Sequence, residues 1–129
     1  MKVIVILLAL FVGLQLVIRL WPLPNVPWRG GDVEAGTGEW TVLGGYYRQS
    51  DVVSFDQLKA RLTATPGLSI LRETPTLVAV YRSWFWGFSD MIEVWSDAGV
   101  VHIRGHSVLG MSDLGSNKKR IKSWLNLEI

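Results

Sequence analysis

The densest group of chemically capable side chains is the run SVLGMSDLGSNKKR at residues 107–120. It holds a carboxylate (Asp113), an amide (Asn117), the hydroxyls of Ser107, Ser112 and Ser116, and the cations Lys118, Lys119 and Arg120. Two chemistries fit this grouping. Free backbone N–H groups at a helix start, with cations close behind, bind phosphate or carboxylate. Alternatively Asp113 itself caps the helix and occupies those N–H groups, with Gly110 and Gly115 supplying backbone angles that other residues resist. On a helix of about 100° per residue, Asn117 falls inside the apolar arc of Leu114, Ile121, Trp124 and Leu125. A buried amide must find partners, and the nearest are the polar groups of its own loop. On that reading the run staples a strand to a helix and needs no ligand.

Other reactive types fit catalysis or metal binding less well. His102 and His106 stand four apart on one strand, about 13 Å at ~3.3 Å per residue, too far to share a metal ion on a regular strand. They belong on the same sheet face as Arg104. The segment GHSVL has Leu109 where a nucleophile elbow needs glycine, and His106 and Ser107 point to opposite faces. Zero cysteines exclude a disulfide framework, a thiolate nucleophile and a cysteine-based zinc site. No cofactor or metal ligand set is expected. A polar network in which Arg82 or Arg104 pairs with Asp90 or Asp113 remains: buried, it fixes conformation; open in a groove, it is a candidate anion site.

These groups need elements to position them. In VSFDQLKARL, Ser54 and Gln57 form a capping box, Phe55, Leu58 and Leu62 share one face, and Pro66-Gly67 ends the segment. Strand patterns follow at Leu68–Arg72, Thr76–Ser83, Asp90–Trp95 and Val100–Ser107, with Asp97-Ala98-Gly99 as a tight connection. WTVL at 40–43 can add a short strand. A last helix is expected over about Leu114–Leu125. Helix, four strands and helix predict an α+β fold, a small antiparallel sheet packed against two helices, over residues 40–129.

Ahead of that domain, VIVILLALFVGLQLVI between Lys2 and Arg19 is polar only at Gln15. Extended by Leu20 and Trp21, and with cations that snorkel, it is read as a transmembrane anchor over residues 1–21. A cleaved signal peptide is the rival; no A-x-A pattern follows the apolar run. Residues 22–39, rich in proline and then glycine, read as a tether. The head is assigned to the non-cytoplasmic side. From Glu39 onward ten Lys/Arg face nine Asp/Glu, so a nucleic-acid partner is not expected.

SDLGSNKKRI, preceded by VHIRGHSVLG, resembles the closing signature of the bacterial family called domain of unknown function 1499. The matching positions are Arg104, Ser107, Gly110, Ser112, Asp113, Leu114, Gly115, Asn117 and Arg120. YRSWFWGFSD, through Arg82, Ser83, Gly87, Phe88 and Asp90, resembles the family's other recurring segment. Val108 stands where the family usually carries arginine, and Gly105 where it usually carries serine. The resemblance implies kinship over roughly residues 50–126 and no particular activity.

The aromatics Trp84, Phe85, Trp86 and Phe88 crowd one strand connection. They are expected to cap the small core; the rival is contact with the membrane, together with Trp21 and Trp28 at the headgroups. The sequence therefore suggests a membrane-anchored, non-catalytic envelope module that binds a protein partner, a lipid headgroup or an anion. Its candidate site is Arg82, Asp90, Arg104, Ser112, Asp113, Asn117 and Arg120. The alternative is a membrane-bound hydrolase or transferase using Asp113 or Asp90 with Arg104.

Overall fold

A computed structural model describes residues 1–23, 39–42, 44–85, 87–109 and 113–127. The apolar run forms helix α1, Lys2–Arg19, about 27 Å long at ~1.5 Å per residue. Its mean hydropathy is 2.3, and it is long and apolar enough to cross a membrane. A helix in a soluble core would be largely covered. Here Ile18 is the buried residue of α1, and the side chains from Val3 to Val17 stay largely open.

The head is an antiparallel sheet of six strands with two helices on one face. The strands are β1 (Glu39–Val42), β2 (Gly45–Ser50), β3 (Leu68–Arg72), β4 (Leu77–Arg82), β5 (Ser89–Asp97) and β6 (Val100–Ser107), in the spatial order β1-β2-β6-β5-β4-β3. The α+β expectation holds, with more strands than the four expected. The strand that composition hid is β2. Tyr46 and Tyr47 are both buried on opposite faces, so GYYRQS shows none of the apolar–polar alternation of a half-buried strand. It lies beside β6, Tyr46 opposite Gly105 and Tyr47 opposite Arg104.

Helix α2 (Phe55–Thr63) starts with both halves of the capping box formed: Gln57 N–H donates to Ser54 Oγ at 3.1 Å, and Ser54 N–H to Gln57 Oε1 at 3.0 Å. Leu58 and Leu62 meet Tyr46, Leu77, Ala79, Ile92, Val94, Val101 and Ile103 from the sheet, and Ile121 and Trp124 from helix α3 (Ser116–Trp124). α3 begins two residues later than the periodicity suggests, because Leu114 and Gly115 both take left-handed backbone angles, φ 55° and 79°. At the far end of β5 and β6, Ala98 and Gly99 have φ of 50° and 81°, as a two-residue hairpin turn requires. The second sheet face carries a smaller cluster of Val78, Val80 and Met91, with Leu23 and Val108 packed on it. The expected tether at 22–39 lies almost wholly outside the described residues.

Candidate functional site

Asp113 answers the question posed by the loop. Its Oδ1 accepts from Gly115 N–H at 2.9 Å, and its Oδ2 from Asn117 N–H at 3.0 Å and Asn117 Nδ2 at 2.7 Å. The carboxylate thus takes the backbone donors that an anion would need. Burial pushes its pKa up, but the hydrogen bonds from Asn117 and Gly115 outweigh that and hold it below the ordinary value. Asn117 is 1% exposed and lies over β6. A Cβ on Gly105 would stand 2.6 Å from Asn117 Oδ1, so the bare glycine makes room for the amide. Serine in that place would force the amide aside.

The second pair is Asp90 with Arg120. Asp90 is 8% exposed at the start of β5, and Arg120 reaches it from the second turn of α3 through Nη2, which also lies 3.4 Å from Asn117 Oδ1. The guanidinium is stacked over Tyr81, 4.1 Å from the ring centroid. Burial raises the Asp90 pKa above its ordinary value; the charge and hydrogen bond of Arg120, and a hydrogen bond from Asn117, offset only part of this. Above these groups opens a pocket of about 500 Å³, lined by Tyr81, Ser83, Asp90, Ser107 and Arg120 at its polar side and by Phe88, Leu109 and Leu114 among its apolar walls. Tyr81 carries no signal in the sequence reading; only its parity with Leu77 and Ala79 on β4 marks it as helix-facing.

Asp90, Asp113, Asn117 and Arg120 therefore come together. Arg104 and Arg82 do not join them, which corrects the expected pairings. Even-numbered side chains of β4 and β6 point to the face opposite the helices. Arg104 pairs there with Glu93, its Nη2 at 3.2 and 3.1 Å from the two carboxylate oxygens. It also sits 5.0 Å over the Trp95 ring, which stacks on His102 at 5.1 Å. The Tyr47 hydroxyl is 2.6 Å from His102 Nδ1, and burial lowers the pKa of that histidine. His106 is buried on the same face. Among the described residues, no three His, Asp or Glu side chains gather as metal ligands. Ser112 lies outside the described residues, as do Trp28 and Trp86.

Arg82 instead joins the head to α1. Its Nη1 donates to the Arg19 carbonyl at 2.9 Å, while Arg19 Nη2 donates to the carbonyls of Trp84 and Phe85, each at 3.3 Å. The loop between β4 and β5 is closed on itself by Ser83 N–H to the Phe88 carbonyl, Phe88 N–H to Ser83 Oγ, and Gly87 N–H to the Ser83 carbonyl, all at 3.0 Å. Gly87 has φ 76°, and a Cβ there would stand 2.7 Å from Arg19 Cγ. Phe85 packs on Phe11 of α1 with centroids 5.9 Å apart. Trp84 is 89% exposed and Phe85 51%, so these rings do not cap the core as expected. Phe85 lies against α1, with the Trp84 ring 6.1 Å from it. Trp21 is exposed as well.

These features define an α+β domain carried behind an apolar N-terminal helix, with a pocket between the strand ends and the last helix. The chain belongs to the family described as Protein of unknown function (DUF1499), whose model matches residues 41–127. That stretch holds all the residues of the pocket and stops short of α1. No curated protein and no solved structure is significantly similar to the chain.

Proposed function

We propose that this protein is a membrane-anchored, non-catalytic binding module whose head is held against the bilayer, on the non-cytoplasmic side, with its pocket at headgroup level. The observation that carries this reading is the loop at 83–88: it is clasped by Arg19, packed on Phe11, and still presents Trp84 and Phe85 outward. A helix crossing the bilayer brings whatever lies beside its C-terminal half to the same depth. Phe11 is eight residues from Arg19, about 12 Å down the helix. Large exposed aromatics are costly in water and favourable at a lipid interface.

Binding is favoured over catalysis because both carboxylates are already engaged, Asp113 by the helix start and Asp90 by Arg120. The raised pKa of Asp90 in an open pocket is the one feature that favours a hydrolase or transferase, with Asp90 as the proton donor. The full chain in liposomes containing lipids brominated at defined depths tests the main reading. Wild type should lose more tryptophan fluorescence to shallow bromines than Trp84→Phe does. Equal quenching in the two proteins would place Trp84 in water and overturn it.

A further inference from the structure

The pocket combines features that select among ligands. Its floor carries Asp90 and Arg120, which neutralise each other, and Asp113 contributes a further carboxylate. The balance is one negative charge, so a bare anion is repelled despite the lysines that flank Arg120 in α3. Ser83 and Ser107 add hydroxyls, while that of Ser116 already donates to the Asp113 carbonyl at 2.6 Å. The rim is apolar: Leu109 and Phe88 line it, and Leu114, 90% exposed, stands at the edge. Ser83 and Phe88 belong to the same loop that is clasped to α1, so the opening is continuous with the surface assigned to the bilayer. A volume of about 500 Å³ is within the ~300–1,000 Å³ typical of small-ligand pockets.

We propose that the pocket receives the head of a phospholipid bearing a primary ammonium group. The ammonium N–H groups donate to the Asp90 carboxylate beside Asp113, the hydroxyls of Ser83 and Ser107 donate to phosphate and ester oxygens, and the first acyl carbons lie against Phe88, Leu109 and Leu114. This rests on the head lying at the membrane surface, and it names what that surface offers. A quaternary ammonium has no N–H to donate, and a glycerol headgroup has no positive charge to set against the extra carboxylate.

Native mass spectrometry of the full chain, released from micelles containing equimolar phosphatidylethanolamine, phosphatidylcholine and phosphatidylglycerol, tests the assignment. Retention of phosphatidylethanolamine should exceed that of the other two roughly tenfold, the worth of one charge-assisted hydrogen bond. Asp90→Asn should remove the preference. Leu114→Lys, at a position open to solvent, should reduce it several-fold through like-charge repulsion while the domain stays folded, so it decides the matter if Asp90→Asn does not fold. Equal retention of the three lipids, preference for phosphatidylglycerol, or indifference to Leu114→Lys would overturn the proposal. Trp84 found in the bilayer without an ethanolamine preference refutes the ligand alone; the preference with Trp84 found in water refutes the membrane-apposed reading instead.

Discussion

Asn117 lies over Gly105 so closely that a single added carbon on the glycine would come within 2.6 Å of the amide oxygen. The amide cannot simply swing away. Its Nδ2 donates to Asp113 at 2.7 Å, and its Oδ1 faces Arg120 Nη2 at 3.4 Å. One contact between β6 and α3 thus couples the helix cap to the pair on the pocket floor.

Gly105→Ala should accordingly destabilise the head by about 1–3 kcal/mol, the usual cost of overpacking. The same substitution in an Asn117→Ala background should cost much less, because the amide oxygen it displaces is gone. Chemical denaturation of the four proteins of this cycle measures the coupling. Strictly additive effects would contradict the contact.

Asp113→Asn should cost about 1 kcal/mol at neutral pH through the weakened cap. The pH dependence has a definite sign. The folded-state pKa of Asp113 is depressed, so its contribution is complete above the ordinary carboxylate value and is lost as pH falls through the folded value. The stability gap between wild type and Asp113→Asn should therefore close on acidification. Asp90 acts with the opposite sign, since its raised pKa makes the folded state bind its proton more readily than the unfolded chain. Thermal melts of both proteins across the acid range provide the check.

Arg104→Ala should leave lipid retention unchanged and lower stability by ~2 kcal/mol or more, because it strands Glu93, whose side chain is largely buried, without its partner. Replacing both, Glu93→Gln with Arg104→Met, should recover most of the loss. Denaturation alongside lipid binding separates the two sheet faces. A loss of binding with Arg104→Ala would mean that the faces are coupled.

The parts of this fold that were legible in the sequence are those decided within a few residues. The Ser54–Gln57 box, the Ala98-Gly99 turn and the burial of Asn117 each follow from local chemistry and helical or strand periodicity. The choice of Arg120 over Arg104 as the partner of Asp90 was not legible. It depends on α3 lying across β2 and β6 on the face that Arg104 points away from, which leaves Arg120 free to reach the start of β5. β2 was hidden because burial on both faces erases alternation. The placement of the aromatic loop was hidden for a third reason: whether Trp84 and Phe85 pack into the core or stay outside it depends on where α1 docks, a contact between residues more than sixty positions apart in the chain.

Gly87→Ala bears on that docking. A methyl group at φ 76° and 2.7 Å from Arg19 Cγ should push the loop off α1. Limited proteolysis of the full chain in liposomes should then cut near residues 83–88 faster than in wild type. An unchanged rate would show that the clasp does not hold the loop.

The most direct measurement uses the absence of cysteine, which makes any introduced cysteine a unique label site. Spin labels at Trp84→Cys and at Val52→Cys, the latter 86% exposed near the opposite strand ends, can be compared in liposomes by collision with oxygen and with a water-soluble nickel complex. β5 alone separates those two ends of the sheet by about 27 Å. With the head apposed to the bilayer, the label at 84 should meet oxygen preferentially, as in lipid, while the label at 52 meets nickel. Equal nickel access at both positions would contradict it.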